Sequence, residues 1–181
     1  QIDELIHVRD QTLVILAVMP RLASEMEAYV RKLGFQNCRT AEEISRRLYE
    51  EIWKTEVCSN KIVFSSFAGA GFGGNGKYIA LELLKRSRML DLVWVVKEEG
   101  VKLPDGIRGV VYGTYEHYWE MGTARIWIDN QHKNFFTRKR EGQWYLQTWH
   151  GGGPLKKIEF DGENLSRSYL DLCEMNSEME D

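Results

Sequence analysis

The stretch FAGAGFGGNGKYIALELLK, residues 67–85, decides the fold expected for this chain. The apolar run KIVFSSF leads into it, and a run with helical character follows the glycines, which is the pattern of a strand, a glycine-rich turn and a helix. Such a turn exposes backbone N–H groups beside a helix N-terminus, where anions bind readily. The stretch therefore predicts an α/β unit with an anion or sugar-phosphate site.

The same glycines match the fingerprint of dinucleotide-binding folds. Gly69, Gly71 and Gly74 satisfy G-x-G-x-x-G, with a predicted strand before them and a predicted helix after them. In that fingerprint the third glycine opens the helix directly. Here Asn75, a possible helix cap, and Gly76 come next, so the predicted loop is longer than the tight dinucleotide turn.

A P-loop match is weaker. Gly71, Gly76 and Lys77 satisfy its first seven positions, but Tyr78 stands where a Ser or Thr must hold Mg²⁺. Asp129 in IWIDN imitates the second nucleotide motif, although an aspartate after two apolar residues is common in strands. Both fingerprints are disfavoured, which leaves an anion site or a simple tight reversal.

Upstream of the glycines, the chain has the pattern of another α/β unit. TLVILAVMP (12–20) predicts a buried strand, and RLASEMEAYVRKLGF (21–35) predicts an amphipathic helix. A short strand should precede a second helix over residues 40–53, where Thr40 and Glu43 are spaced as a capping box.

Downstream of residue 60, apolar runs alternate with helical patterns. Predicted strands lie in KIVFSSFAG, LDLVWVVKE, GIRGVVYGT, RIWIDNQ and WYLQTWHGG, and predicted helices in NGKYIALELLKRS and TYEHYWEMGTA. Continuous apolar strands alternating with helices indicate a parallel sheet covered on both faces, and ligands bind outside the carboxyl ends of such strands. The residues expected there are Ser66–Gly76, Lys97, Thr114, Asp129, Asn130 and His150.

Composition excludes several classes of protein. The net charge of −3 argues against a nucleic-acid partner. The sequence contains no run of about 18 apolar residues, the length that a membrane-spanning helix needs. The chain begins at Gln1 and so is interpreted as a piece of a longer one. Cys38, Cys58 and Cys173 are far apart and odd in number, which indicates free cytosolic thiols rather than a disulfide framework or a metal site.

Residues 131–157 are strongly basic, with six lysines and arginines against Glu141. One interpretation is a solvated loop face. The other is a positive rim formed by Lys133, Arg138, Lys139 and Arg140, which would concentrate an anionic substrate. The two phenylalanines in KNFFTRKR would also suit a phospholipid surface or a lipid-linked acceptor.

QTWHGGGPLKKIEFD (147–161) is the second candidate site. His150 follows an apolar strand and precedes three glycines, which leave its imidazole uncovered and let the backbone approach a ligand. An imidazole of near-neutral pKa removes a proton from an attacking hydroxyl, and the two lysines that follow bind phosphate. A packed or surface role for His150 stays open from composition alone, and His117 and His132 are expected to serve structure.

The run from NGKYIALELLKRS through LPDGIRGVVYGTYEHYWEMGTARIWIDNQ to YLQTWHGGGPLKKIE resembles the CDP-glycerol glycerophosphotransferase family. These are teichoic-acid primases and polymerases and related capsule or cell-wall polyol-phosphate transferases. The resemblance covers residues 61 to about 161, although the family often has Pro where Gly76 stands. It implies a glycosyltransferase-B-like fold of two facing Rossmann-like domains, with the CDP-polyol mainly on the second.

The strand and helix pattern and the resemblance together predict a domain organisation. Residues 1–58 fall outside the resemblance and are expected to be the tail of a preceding α/β module or a linker, with a boundary near residues 55–60. Residues 59–181 are expected to be the acceptor-side, Rossmann-like half of the transferase, with the donor-binding half beyond Asp181. The loop at residues 69–76 would then shape the acceptor side of a cleft between the halves.

The implied function is transfer of glycerol phosphate, or another polyol phosphate, from a CDP donor to a hydroxyl of a glycan or teichoic-acid-like acceptor. His150 is the implied catalytic base, with no metal or cofactor, and the fragment alone is expected to be inactive. The predicted substrate-binding residues are Gly69, Gly71, Gly74, Asn75, Asp129, Asn130, Gly151, Gly152, Lys156 and Lys157.

The expected partners are CDP-glycerol or a related CDP-polyol and a lipid-linked or polymeric glycan. The expected location is the cytoplasm, with peripheral contact at the inner face of the cell membrane. The alternative is a non-catalytic Rossmann-like module that binds a nucleotide or polyanion.

Overall fold

The computed structural model describes residues 2–150 and 157–181. Contacts along the chain divide it into two compact units, Gln1–Leu48 with Phe135–Thr137, and Tyr49–Asn134 with Arg138–Asp181. The division falls upstream of the boundary predicted near residues 55–60. The roles assigned to residues 1–58 and 59–181 stay predictions.

The smaller unit is built around a two-stranded parallel sheet. Its elements are a 3-10 helical segment (Ile2–Gln11), β1 (Val14–Leu16), α1 (Pro20–Lys32), β2 (Cys38–Thr40) and the start of α2 (Ala41–Ile52). The predicted capping box is confirmed at the start of α2. The Glu43 N–H donates to Thr40 Oγ1 and the Thr40 N–H donates to the Glu43 carboxylate, both at 3.1 Å. The predicted strand–helix–strand–helix order is therefore correct.

The larger unit contains a five-stranded parallel sheet in the order β5-β4-β3-β6-β7. Its elements are β3 (Cys58–Phe64), α3 (Gly74–Arg86), β4 (Asp91–Val96), β5 (Ile107–Val111), α4 (Tyr115–Thr123), β6 (Ala124–Asp129), β7 (Trp144–Gln147), a 3-10 turn (Glu159–Asp161) and α5 (Arg167–Met179). All five strands arise from the apolar runs expected to form them, and the α/β class with a parallel sheet is confirmed.

The sheet is covered on both faces, as its continuous apolar strands predict. In β4, Val93 and Val95 point into the apolar cluster that α4 and α5 cover. Leu92 and Trp94 point into the opposite cluster, which α3 covers. Alternation along one strand thus supplies both halves of the core.

The strand order places a topological switch point between β3 and β6. The chain runs from β3 through β4 to β5, and then returns to the other side of β3 to form β6 and β7. Phe64 at the end of β3 pairs with Ile128 near the end of β6, so the loops that follow these two strands diverge from adjacent positions. A crevice at this point is where open parallel sheets bind ligands.

Two expectations about the helices are wrong. α5 was not predicted, and the third glycine of the fingerprint does open α3. Gly74 is its first residue, with a φ of +66° that suits glycine. Asn75 lies in the first turn and does not cap it, because its side chain donates instead to the Thr148 carbonyl oxygen at 3.1 Å. Within the described ranges no helix is long and apolar enough to cross a bilayer.

Candidate functional site

The loop after β3, Ser65–Gly73, is called the glycine loop below. It turns through three successive residues in the left-handed region, Phe67 at φ 47°, Ala68 at 51° and Gly69 at 85°. Non-glycine residues adopt that region at a cost, and such conformations cluster at ligand and catalytic sites. The surrounding structure must therefore hold the loop in this shape.

One glycine of the fingerprint is required by packing and another is not. A Cβ on Gly69 would lie 2.7 Å from the carbonyl carbon of Val96, and the Lys97 N–H donates to the Gly69 carbonyl at 3.1 Å. The loop backbone therefore rests directly on the end of β4. A Cβ on Gly71 or Gly73 would meet no atom within 4 Å among the residues that the structure describes. The Gly71 backbone thus faces space that a ligand can occupy.

Asn130 joins the glycine loop to the end of β6. Its side chain is buried, with the residue 1% exposed. Its Oδ1 accepts the Phe67 N–H at 2.9 Å, and its Nδ2 donates to Ser66 Oγ at 3.1 Å. A Cβ on Gly74 would lie 3.0 Å from that same Nδ2, so the first residue of α3 packs closely against the Asn130 amide. The amide is the element that holds the strained loop.

His150 also contacts Asn130, through that residue's backbone carbonyl group. Its Nδ1 is 2.8 Å from the Asn130 carbonyl oxygen. A carbonyl oxygen can only accept, so Nδ1 carries a proton, and in the neutral ring Nε2 then keeps its lone pair. The residue is exposed, and its ring centroid lies 5.1 Å from that of Phe67. Trp149 before it has a φ of 53°, so the backbone bends where it presents the imidazole. His150 therefore has the tautomer and exposure that a base needs.

Asp129, one of the predicted substrate-binding residues, is buried and supports this arrangement from within. Its Oδ1 accepts the Asn130 N–H at 2.7 Å. Its Oδ2 is 2.5 Å from Lys133 Nζ, and both side chains are buried. The ion pair fixes the turn after β6 and hence the carbonyl that His150 bonds.

The N-terminus of α3 provides anion-binding groups. Gly73 precedes the helix with no side-chain cap among the described residues, and the first turn contains no acidic residue. The first-turn N–H groups of a helix lack intrahelical partners and carry the positive end of its dipole. Asn75 in that turn is exposed, whereas Gly76 is buried, and a Cβ on Gly76 would lie 3.5 Å from the Trp94 ring. The site can bind a phosphate beside the glycine loop.

The four residues of the predicted basic rim are not fully exposed. Lys133 is buried, and Arg138, Lys139 and Arg140 are half-buried. Lys139 Nζ lies 2.5 Å from the Asp181 carboxylate. Arg140 donates to two main-chain oxygens that follow α2, at 2.8 and 2.7 Å. These side chains are engaged by other groups of the protein, and counting basic residues along the sequence could not reveal such contacts.

Part of the predicted phosphate-binding segment is not described. Gly151, Gly152 and Lys156 lie outside the described residues. Lys157 is exposed and forms an ion pair with Glu163 at 2.7 Å. An exposed pair of this kind is weak, so Lys157 can exchange partners.

Sequence reasoning missed the exposed aromatic rings that follow the strands. Phe67 is 45% exposed after β3, and Tyr112 and Tyr115 are 41% and 56% exposed after β5. The Tyr112 N–H donates to the Val96 carbonyl oxygen at 2.7 Å, which anchors its backbone. An aromatic residue just past a strand end was the available signal. Such rings can pack against the apolar face of a sugar or polyol.

His117 has the structural role expected of it. It is buried under Tyr112 and Tyr118. Burial, and then the charge of Lys133, lower its pKa to about 4. Its Nδ1 accepts the Gly113 N–H at 3.3 Å. A histidine that stays neutral and enclosed in this way cannot serve as the site's base.

A family profile and several curated proteins match this chain. The profile of the CDP-Glycerol:Poly(glycerophosphate) glycerophosphotransferase family matches residues 47–179. The teichoic acid poly(glycerol phosphate) polymerase of Staphylococcus epidermidis is 31% identical over 118 residues, which are 64% of this chain and 16% of that protein. The teichoic acid glycerol-phosphate transferase of Staphylococcus aureus is 32% identical over 108 residues, which are 59% of this chain and 27% of that protein.

Solved structures of the wall teichoic acid polymerase TagF share the fold. One of them superposes with a TM-score of 0.69 at 22% identity and covers 91% of this chain and 41% of that chain. Another, recorded after a soak with CDPG, gives the same values. The chain thus spans less than half the length of each of these relatives.

Proposed function

Because this chain belongs to the CDP-glycerol:poly(glycerophosphate) glycerophosphotransferase family, we propose that it forms the acceptor side of a glycerol-phosphate transferase. The full-length enzyme that contains it would move glycerol phosphate from CDP-glycerol to a hydroxyl group of a growing teichoic-acid-like polymer. His150 would be the base, and the glycine loop with the N-terminus of α3 would hold a phosphate group of the reactants.

The reaction is a nucleophilic substitution at phosphorus. The acceptor hydroxyl oxygen attacks the β-phosphorus of CDP-glycerol, and the bond from that phosphorus to the bridging oxygen of CMP breaks. CMP leaves with the electron pair of that bond. His150 Nε2 receives the hydroxyl proton as the new bond forms. Positioning and charge stabilisation account for most of the acceleration in such transfers.

One observation carries the proposal, which is the 2.8 Å contact between His150 Nδ1 and the Asn130 carbonyl oxygen. It sets the tautomer that leaves Nε2 able to accept a proton. It also stabilises the imidazolium that forms, because the carbonyl dipole points at the protonated ring. Since the Asn130 side chain holds the glycine loop, one residue places the base and the anion site relative to each other.

For the acceptor we propose a lipid-linked or polymeric glycan in cell-wall or capsule synthesis, reached at the inner face of the cell membrane. The support is the polymer named for the curated relatives. Exposed Phe67, Tyr112 and Tyr115 offer rings against which polyol or sugar carbons can pack. The predicted basic rim gives no support, because its cations are engaged within the chain. Co-sedimentation of the full-length protein with anionic vesicles that carry or lack a lipid-linked acceptor separates acceptor binding from simple membrane contact.

A second candidate, a nucleotide-binding module without catalysis, is favoured by the start of α3 at Gly74. In the dinucleotide fingerprint the third glycine opens the helix, as Gly74 does here, whereas the sequence predicted a longer loop. Against it, β3 ends at Phe64, well before Gly69, whereas the fingerprint's first glycine follows its strand closely. We expect no saturable binding of NAD or ATP by calorimetry. A micromolar isotherm for either would favour the binding module.

The test of catalysis is CMP release by the full-length enzyme. We expect His150→Ala to lower the rate by roughly 10²–10⁴, the usual contribution of a positioned general base. His150→Gln should not restore it, because an amide cannot take the proton. His7→Ala, at an exposed histidine of the smaller unit, is the matched control and should keep full activity. Retention by His150→Ala of more than about a tenth of the rate, a loss under ~1.4 kcal/mol, would show that His150 is not the base.

A further inference from the structure

Three metal-ligating side chains meet outside the site described above. His132 lies in the turn after β6, Glu159 in the 3-10 turn, and Cys173 in α5. The ring nitrogen, carboxylate oxygen and sulfur that they offer all lie within 4.8 Å of one another. Their wide separation in sequence explains why no metal spacing was visible there.

The separations suit a tetrahedral ion after small movements. With bonds of about 2.0–2.3 Å, the ligand atoms of tetrahedral zinc stand roughly 3.3–3.6 Å apart. His132 Nε2 is now 2.9 Å from Glu159 Oε1, so these two atoms need to part by a few tenths of an ångström. The sulfur lies within 4.8 Å of the other two ligand atoms, so it needs to move inward by roughly 1.5 Å at most.

The surroundings fix the ligands and enclose them. Cys173 is fully buried, and the His132 and Glu159 side chains are 8% and 27% exposed. The Trp149 ring packs edge-on against His132 with centroids 5.1 Å apart, and Tyr169 lies on another side at 6.1 Å. The ring of His132 is thus held, while Glu159 leaves a side through which an ion and a water can enter.

The charges near the cluster favour a cation. The Glu180 Oε1 atom is buried and has no hydrogen-bond partner within residues 2–150 and 157–181. Glu159 is a carboxylate beside a ring nitrogen, at 2.9 Å from His132 Nε2, and a divalent ion between them would offset its negative charge.

We propose that His132, Glu159 and Cys173 form a site for a zinc-class divalent ion, with water in the fourth position. Mixed nitrogen, oxygen and sulfur ligands select a borderline-soft ion such as Zn²⁺ over Mg²⁺ or Ca²⁺, which prefer oxygen. The thiol proton is released as the sulfur binds the metal. The ion ties Glu159, held at φ 50°, to the end of β6 and to α5. It therefore anchors the 3-10 turn and α5 to the segment after β6.

The test is zinc binding by the whole 181-residue chain after removal of metals with a chelator. We expect one Zn²⁺ per chain, a rise in melting temperature with added Zn²⁺, and a thiolate-to-metal absorption band when Co²⁺ replaces it. His132→Ala and Cys173→Ala should weaken binding by more than the roughly 10–100-fold that loss of an outer partner costs. Cys58→Ala and His7→Ala, which change a free cysteine and an exposed histidine elsewhere, are the matched controls.

The outcomes separate a metal site from a hydrogen-bonded cluster. Absence of saturable Zn²⁺ binding to the wild-type chain would overturn the proposal. So would undiminished binding by the Cys173 variant, or equal losses in the Cys58 control. If the Cys173 variant fails to fold by circular dichroism, the cobalt spectrum of the wild-type chain decides, because only a bound thiolate gives the band. None of these readouts uses transferase activity, so they are independent of the proposed function.

Discussion

The two edges of the five-stranded sheet treat their polar groups differently. At the amino edge, Lys61, Asp91, Arg108 and Glu120 form one network in which each charge meets an opposite charge. At the carboxyl edge, the ring of His150 and the first turn of α3 are presented to solvent. The ion-paired groups at the amino edge stabilise the sheet, and the solvent-exposed groups at the carboxyl edge are available to a ligand.

The distances at the amino edge show how complete the pairing is. Arg108 lies 2.7 Å from Asp91 and 2.5 Å from Glu120, and Lys61 lies 2.7 Å from Glu120. Hydrogen bonds from Arg108 lower the pKa of Asp91. Burial acts to raise the pKa of Glu120, but the hydrogen bonds from Arg108 and Lys61 outweigh it and lower that pKa. A hollow of about 270 Å³ lies beside Asp91 and Arg108, yet its charges are already engaged. A hollow with charges is therefore not by itself a binding site.

The largest effect on stability is expected from breaking the amino-edge network. Glu120→Gln leaves Lys61, whose side chain is 8% exposed, without its counter-charge. Removal of one partner from a buried pair costs about 3–5 kcal/mol, so we expect a loss near the lower end of that range in urea unfolding. The rate of CMP release per folded molecule should not change, because the network lies at the opposite edge from His150.

Glu82→Gln on α3 is the matched control for that variant. Glu82 pairs with Arg86 at the surface, and its loss should leave the unfolding midpoint unchanged. If Glu120→Gln lowered the rate of folded enzyme while stability stayed the same, the division between a structural and a functional edge would be wrong.

Two histidines of the larger unit extend the comparison to pH. His117 is buried with a pKa of about 4, below its ordinary value of 6.5, so the unfolded chain binds the proton more readily. Its contribution to stability is therefore complete above pH 6.5 and falls as the pH drops toward 4. The expected loss across that window is up to about 3 kcal/mol.

The measurement is urea unfolding at several pH values for the wild type and for His117→Asn, whose side-chain oxygen can replace the Nδ1 acceptor. The variant should lose less stability than the wild type between pH 6.5 and 4. Parallel curves for the two proteins would show that His117 is not kept neutral by its burial. His150→Asn, at the exposed histidine of the same unit, is measured alongside for comparison.

The sequence predicts the sheet well because each strand carries its own signal. The run DLVWVV is apolar on both faces whatever its neighbours are, and the structure buries both faces. The capping box at Thr40 is likewise local. By contrast, the role of Asn130 depends on Ser66 and Phe67, which only the strand order brings near it. The sequence pattern placed Asn130 at the carboxyl edge of the predicted sheet, but its contacts with Ser66 and Phe67 could be found only from the fold.

The errors have the same origin. Lys133 was expected on a positive rim because neighbouring residues are basic, but its side chain is buried against Asp129 and its backbone bonds Asn176 of α5. The start of α3 was misplaced because Asn75 is a good cap by type, while its amide has a nearer partner in the Thr148 carbonyl. Local preference was overridden each time by a contact made between elements.

The smallest effect on stability is expected at the carboxyl edge, where a tightly packed glycine, Gly69, can be compared with an open one, Gly71. Gly69 and Gly71 differ by two positions and belong to the same fingerprint. Gly69→Ala places a methyl group against the Val96 backbone at a φ of +85°, so we expect a loss of about 1–3 kcal/mol in unfolding free energy. Gly71→Ala places its methyl group in open space and should change stability by less than about 0.5 kcal/mol.

If a reactant's phosphate approaches the glycine loop, the methyl group of Gly71→Ala should raise KM by roughly tenfold, which corresponds to about 1.4 kcal/mol of lost binding. Steady-state CMP release by the Gly71 variant, measured while each substrate is varied in turn, shows which reactant the loop contacts. An unchanged KM for both substrates would mean that the glycine loop shapes the edge without touching a ligand, and would leave His150 as the site's one tested functional group.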